Sequence, residues 1–208
     1  MEKTVLTVFG EHESEKIIEK SRFITYSAHV ESEEEGKEFI AKIRSKHSLA
    51  THVCYAFISD KTGNLQRFSD DGEPQGTAGI PMLEVLKNRG LKDTAVVVTR
   101  YFGGIKLGAG GLVRAYSSCT SAGLDEAGVE ENIISNVYKI SFGYEKYSLF
   151  LKFIEKYKQK TISSDFAEGV EITIAVPSDE VDFCEKLTDY FLGKVEIELT
   201  SQIYVVYG

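Results

Sequence analysis

The stretch Arg67–Arg114, RFSDDGEPQGTAGIPMLEVLKNRGLKDTAVVVTRYFGGIKLGAGGLVR, decides the fold of this chain. It joins an acidic turn, a helix-forming segment, an apolar strand and a Gly-rich basic loop. The run Thr94–Thr99 is rich in β-branched residues, which is typical of a strand buried on both faces. The Gly-rich loop that follows leads into a helical apolar pattern over Ala109–Ala127. The stretch therefore predicts a strand, a loop and a long helix in succession.

Upstream of that stretch, the pattern alternates between strands and helices. Residues Glu15–Val30 read as extended with a turn near Glu19–Ser21, because apolar and polar residues alternate there. Ser32 followed by Glu35 is a capping-box signal that opens a helix. Residues 52–58 and 65–69 then read as a strand and its returning partner. A second short helix follows, with Pro81 in its first turn.

Downstream, a second unit begins near residue 134. Its apolar patterns predict the order β-α-β-β-α-β, which is the ferredoxin-like split unit. Together the two halves predict an α+β protein of two domains, residues 1–132 and 133–208.

Composition and charge exclude several classes of protein. The chain has 208 residues, of which 42% are hydrophobic, and its formal net charge is −8. That charge gives no global attraction to nucleic acid or to an anionic membrane, so any nucleic-acid contact needs a local basic patch. No segment is long and apolar enough to span a bilayer, and no signal peptide is recognisable at the N-terminus. Three widely spaced cysteines argue against a disulfide framework and for the cytoplasm.

The Gly-rich loop is the first candidate site, and we predict that it binds an anion such as phosphate. Free amides at a helix start attract anions, and glycines let the backbone approach a ligand. No Asp or Glu occurs between Asp93 and Asp125. The loop matches neither the Walker A spacing nor the dinucleotide-binding pattern, and a tight connection without a ligand is the alternative. The predicted contacts come from the loop, the strand before it and the helix after it: Arg100, Tyr101, Gly103, Gly104, Lys106, Gly108, Gly110, Gly111 and Arg114.

The acidic turn is the second candidate site. Asp70, Asp71 and Glu73 are three carboxylates within four residues. They could hold Mg²⁺, act as acid or base, or pair with Arg67 and Arg100. A solvated turn held by its own side-chain hydrogen bonds is the structural alternative. The histidines and cysteines show no metal-ligand spacing, so we expect no metal site elsewhere.

The segments RFSDDGEPQGTAGIPML and VVVTRYFGGIKLGAGGLVRAY together resemble the signature of the YigZ/IMPACT family. The motifs Lys20–Phe23 and Ala50–Ala56 also resemble the family pattern, and the likeness covers about Phe9–Gly128. It implies a first domain with the ribosomal protein S5 domain 2-like fold. It also implies a C-terminal domain similar to a ferredoxin-like domain of elongation factor G.

The same resemblance implies a connection with translation. Eukaryotic members of the family are translation regulators, and they bind partners through an additional N-terminal domain. This chain starts directly at the shared domain, so that partner binding is not carried over. Some bacterial members carry a proline-dipeptidase label, but no metal-ligand set or nucleophile constellation here supports it.

Three functions follow as expectations. The first is a cytosolic, non-enzymatic protein that binds RNA or the ribosome, regulates translation and needs no cofactor. The second is a Mg²⁺-dependent enzyme acting on a phosphorylated small molecule or nucleotide, with Asp70, Asp71 and Glu73 in its site. The third is a protein-interaction module with no small ligand.

Overall fold

The computed structural model describes residues 3–207 and shows a mixed α+β protein with antiparallel sheets. Residues 5–130 form one compact unit, here called the N-terminal unit. Residues 131–207, together with 3 and 4, form the C-terminal unit. Within the described residues, no helix combines the length and the apolar character needed to cross a membrane.

The first part of the chain contributes six strands and three helices. The strands are β1 Thr4–Val8, β2 His12–Ile18, β3 Ser21–His29, β4 His52–Ile58, β5 Gln66–Ser69 and β6 Thr94–Tyr101. The helices are α1 Glu33–Lys46, α2 Gly79–Asn88 and α3 Gly108–Ala127. Strands β2 to β6 form an antiparallel sheet in the order β2-β3-β6-β4-β5.

Strand β6 lies at the centre of this sheet and is buried on both faces. Val96 and Val98 face a core built with α2 and α3, whereas Ala95 and Val97 face a second core built with α1. The two cores explain why the sequence of this strand is continuously apolar. The alternation also decides which side chains at the end of β6 can reach the loop that follows.

Helix α3 lies close to the sheet because Gly123 has no side chain. A Cβ atom at Gly123 would lie 2.6 Å from Cγ2 of Thr25 and 3.1 Å from Oγ of Ser14. The helix therefore packs directly on β2 and β3. This contact fixes the direction in which the other end of α3, beside the Gly-rich loop, points.

The C-terminal unit follows the order β-α-β-β-α-β. Its elements are β7 Val129–Phe142, α4 Tyr147–Ile154, β8 Lys160–Asp165, β9 Val170–Pro177, α5 Phe183–Tyr190 and β10 Glu196–Val206. Its strands are ordered β10-β7-β9-β8 and all neighbours are antiparallel. Aromatic side chains of the two helices, Phe150, Phe153 and Phe183, pack on apolar residues of β7 and β9.

Three elements differ from the sequence-based expectation. Strand β1 was not predicted. Strand β7 begins at Val129, whereas the local alternation predicts a strand over Val137–Phe142 only. The longer strand pairs with β10 from Asn132 onward, and this distant partner is invisible in a local pattern. Ser178 with Glu180 and Val181 predicts a helix that opens near Ser178. Helix α5 begins at Phe183 instead, since turns occupy most of the residues between them.

Candidate functional site

The Gly-rich loop connects the end of β6 to the first turn of α3. Helix α3 begins at Gly108, whose φ of +69° favours glycine. The residue before it, Leu107, supplies no capping hydrogen bond, and the first turn contains no acidic residue. The first amides of this 20-residue helix therefore lack a side-chain acceptor, and the positive end of its dipole is uncompensated.

An open cleft of about 480 Å³, here called the α3 cleft, lies beside this helix start. Three segments line it: the end of β2, the Gly-rich loop and the first half of α3. Its lining residues are Ile18, Glu19, Ile105, Lys106, Leu107, Gly111, Arg114, Ala115 and Ser118. Lys106 and Arg114 are exposed, and neither side chain has an ion-pair partner within residues 3–207. The structure thus brings together two of the predicted cations and one of the predicted glycines.

The other predicted loop glycines have different environments. Gly104, Gly108 and Gly110 are exposed, with Gly104 at a φ of +86°. Gly103 is instead packed against the β2–β3 turn, where a Cβ atom would lie 1.9 Å from the carbonyl oxygen of Lys20. Its amide donates to Oγ of Ser21 at 3.2 Å, so Gly103 has a structural role and does not offer its amide to a ligand.

Arg100 is not available to phosphate, contrary to the sequence-based prediction. Its side chain is 5% exposed, and Nη1 donates to Oε1 of Glu73 at 2.7 Å. Nη2 donates to Oγ of Ser21 at 3.2 Å. The guanidinium also lies over the rings of Phe23 and Phe102. A buried and neutralised arginine supports the sheet and does not attract an external anion.

Tyr101 also lies outside the α3 cleft. Side chains alternate along a strand, so Tyr101 faces the α1 side of the sheet while Arg100 faces α3. The hydroxyl of Tyr101 is 2.9 Å from Nδ1 of His47, and Nε2 of His47 is 2.6 Å from the hydroxyl of Tyr26. Burial and the nearby charge of Lys46 hold the pKa of His47 below its ordinary value. This chain of contacts anchors the end of α1 and leaves Tyr101 no route to the loop.

In the acidic turn, Asp70 caps helix α2. Its carboxylate accepts hydrogen bonds from the amides of Gly76, Ala78 and Gly79 at 2.8 to 3.0 Å. Burial raises the pKa of Asp70, but these three amides outweigh it and the pKa lies below its ordinary value. Asp70 therefore occupies the anion position at the start of α2.

Asp71 and Glu73 point in two other directions. Asp71 accepts from the amide of Val53 at 2.7 Å and pairs with Arg44 at 2.9 Å. Glu73 is buried against Arg100, and Nε2 of His52 lies 3.8 Å from its second oxygen. The structure does not gather the three carboxylates of the turn into one site. Among residues 3–207, no group of three His, Cys, Asp or Glu side chains is arranged to hold a metal ion.

A buried polar cluster around Glu73 was missed by sequence reasoning. The hydroxyl of Tyr116 donates to Glu73 at 2.8 Å, and the thiol of Cys54 lies 3.4 Å from the same hydroxyl. Burial raises the pKa of the Cys54 thiol to about 12, so it is no nucleophile at neutral pH. Tyr116 lies on the apolar face of α3. The spacing of the apolar residues on that face predicted core packing alone. The sequence held two signals for the cluster: the possible pair of the acidic turn with Arg100, and a histidine, His52, at the start of an apolar strand.

Comparison with known proteins gives the context for this geometry. The protein-family model of the Impact N-terminal domain matches residues 19–124. The IMPACT family member YvyE of Bacillus subtilis is 45% identical over 197 residues, covering 94% of this chain and 90% of that protein. The IMPACT family member YigZ of Escherichia coli is 36% identical over 183 residues, covering 86% of this chain and 90% of that protein.

A solved structure is similar over the whole length of the chain. It is a crystal structure of a hypothetical protein with 32% sequence identity and a TM-score of 0.63. The alignment covers 97% of this chain and 99% of that one. The match to the Impact N-terminal domain, over residues 19–124, includes the β2–β3 turn, the acidic turn and the Gly-rich loop. On this evidence the chain belongs to the IMPACT family.

Proposed function

We propose that this protein is a cytosolic, translation-linked regulator that binds RNA, with the phosphate groups held in the α3 cleft. One observation carries the proposal: the uncapped start of α3 lies beside two exposed cations that have no partner within residues 3–207. Lys106 supplies a mobile charge and Arg114 a planar fork, and both kinds of donor suit phosphate oxygens. The amides of the first turn of α3 add fixed donors.

The charge distribution supports a local contact. The chain carries a net charge of −8, yet no acidic residue lies between Asp93 and Asp125. An anion approaching the loop therefore meets the exposed cations Lys106 and Arg114, and Glu19 is the only carboxylate among the residues that line the cleft. Phe102, which is 47% exposed at the start of the loop, offers an aromatic surface on which a base can stack.

The shape of the cleft favours a polymer over a small substrate held for Mg²⁺-dependent chemistry. The α3 cleft is open to solvent, and none of the three carboxylates of the acidic turn lines it. Asp70 and Asp71 are instead bound to backbone amides, and Glu73 is buried with Arg100. A protein-interaction module without a ligand fits less well, because Gly104, Gly108 and Gly110 stay exposed.

The fold is consistent with this role. The order β10-β7-β9-β8 supports a ferredoxin-like assignment for the C-terminal unit. With an S5 domain 2-like N-terminal unit, both halves would be related in fold to parts of elongation factor G. Fold alone does not specify function, so the proposal depends on the cleft and on the link to translation that the family resemblance implies.

Titration of a labelled single-stranded RNA at several salt concentrations tests the proposal. We expect the double variant Lys106→Ala/Arg114→Ala to bind more weakly than the parent. The slope of log affinity against log salt should also shrink by about 1.4, since each phosphate contact on a single strand contributes about 0.7.

The matched control is Lys152→Ala/Lys194→Ala, which removes the same charge from exposed positions of the C-terminal unit. We expect this control to change affinity and slope less than the cleft variant does. A cleft variant that keeps the parental affinity and salt slope would contradict the proposal.

A further inference from the structure

We propose that the outer edge of β10, the side that faces away from β7, binds an extended basic segment of a partner protein as an added strand. The proposal is independent of RNA binding, because it concerns the C-terminal unit alone. Strand β10 pairs with β7 on one side, and no strand within residues 3–207 pairs with its other side. The backbone groups of such an unpaired edge are a template for a further strand.

The outer edge of β10 lacks the usual protection of an edge strand. Short length, proline and lysine are the common protective features. Strand β10 is 11 residues long, and its sequence EIELTSQIYVV contains neither proline nor lysine. Leu199 is 60% exposed on this strand and Ile203 is 40% exposed. The pairing with β7 shifts register between Leu199 and Ser201, so we place the added strand beside the regular segment Glu196–Leu199.

An apolar groove of about 520 Å³ lies beside this segment, between β10 and α5. Val195, Ile197 and Leu199 form one wall of the groove, and Cys184 and Thr188 of α5 form the other. Side chains alternate between the two faces of a sheet, so every second side chain of an added strand enters the groove. The groove therefore fits a segment with apolar side chains at alternate positions.

Four carboxylates surround this segment of β10 and have no ion-pair partner within residues 3–207. They are Glu185 and Asp189 in the groove, and Glu196 and Glu198 on the opposite face of β10. Lys139 lies across from Glu198 on β7, but it forms its ion pair with Glu171 at 2.8 Å. The edge of β10 is therefore acidic on both faces of the sheet.

The acidic edge determines which partner fits. It repels the phosphate groups of RNA. Two copies of the chain paired edge to edge would bring their own glutamates together, and like charges across paired strands are destabilising. Lys and Arg side chains complement the edge, so a basic protein segment fits better than RNA or a second copy of this chain.

The partner segment that fits alternates apolar and basic residues. Its apolar side chains pack on Ile197 and Leu199 in the groove. Its Lys or Arg side chains lie near Glu196 and Glu198 on the other face of the sheet. In strand addition, main-chain hydrogen bonds supply affinity and the alternating side chains supply specificity.

The test is a nuclear magnetic resonance titration of the isotope-labelled full chain with an acetylated and amidated eight-residue peptide of alternating valine and lysine. We expect saturable shifts of the amide resonances of Glu196–Leu199. Two further peptides carry N-methyl groups, one on its valines and the other on its lysines. Successive amides of a strand point to opposite edges, so only one of these sets can bond to β10.

We therefore expect one methylated peptide to bind about tenfold more weakly than the unmodified peptide, because it loses several backbone hydrogen bonds. The other should bind within about twofold of the unmodified peptide. The proposal is overturned if the two methylated peptides bind alike. It is also overturned if the unmodified peptide leaves the resonances of β10 unshifted.

A charge-removing variant tests the acidic edge. We expect Glu196→Gln/Glu198→Gln, at two exposed positions, to weaken binding of the unmodified peptide about fivefold. The matched control Glu34→Gln/Glu38→Gln removes the same charge from exposed positions of α1 and should bind the peptide like the parent. Equal affinities of the two variants would mean that the peptide responds only to net charge, and this result too would overturn the proposal.

Discussion

At the scale of single residues, the buried pair of Glu73 and Arg100 shows that a charged residue in a sequence does not reveal whether it faces a ligand or pairs inside the fold. The sequence placed Arg100 at the phosphate, and it left Glu73 open between a magnesium site, an acid–base role and a pair with Arg67 or Arg100. In the structure they neutralise each other at 2.7 Å, and each side chain is at most 5% exposed. They lie 27 positions apart in the chain, so the pairing is a product of the fold. The sequence offered the pair with Arg100 as one alternative, but it could not decide that Arg100 is paired while Lys106 and Arg114 have no ion-pair partner within residues 3–207.

Removing one partner of this pair should be costly. The variant Glu73→Ala leaves Arg100 buried without its counter-charge and Tyr116 without its acceptor. We expect the free energy of unfolding to fall by about 3 to 5 kcal/mol, measured by urea denaturation. The control Glu84→Ala breaks an exposed pair with Lys87 and should change stability by about 0.5 kcal/mol or less. A loss below about 1 kcal/mol in Glu73→Ala would show that the pair is not a structural element.

At the scale of secondary-structure elements, helix α3 was the most predictable part of the molecule. Its glycine-rich start and its apolar stripe predicted residues 109–127, and the structure has Gly108–Ala127. The opposite wall of the cleft was not predictable. It comes from Ile18 and Glu19, about ninety positions away, and only the packing of α3 on the first hairpin brings it there.

The uncapped start of α3 predicts opposite effects of one substitution on stability and on binding. Ala109 is exposed in the first turn, so Ala109→Glu places a negative charge at the positive end of the helix dipole. We expect the protein to be about 0.3 to 1 kcal/mol more stable. RNA affinity should fall about tenfold or more, because the new carboxylate repels phosphate. The control Ala109→Gln should leave the folding equilibrium constant and the RNA affinity each within a factor of about two of the parental values. Unchanged RNA affinity in Ala109→Glu would mean that the helix start is not the binding site.

At the scale of the whole molecule, the sequence predicted the α+β class and the order of most elements. It did so because apolar periodicity is local information. Long-range pairing is not local, and this explains why β1 and the first half of β7 were missed. The acid-free segment between Asp93 and Asp125 was likewise visible in the sequence. The structure adds which of its cations remain free to bind.

Nuclear magnetic resonance of the isotope-labelled full chain, titrated with a short single-stranded RNA, tests the central claim most directly. The account predicts saturable shifts of the amide resonances of Gly108–Gly111 and Glu19. The same titration of Lys106→Ala/Arg114→Ala should give much smaller shifts at those positions. Saturable shifts confined to the C-terminal unit, or none at all, would contradict the claim that the α3 cleft binds RNA.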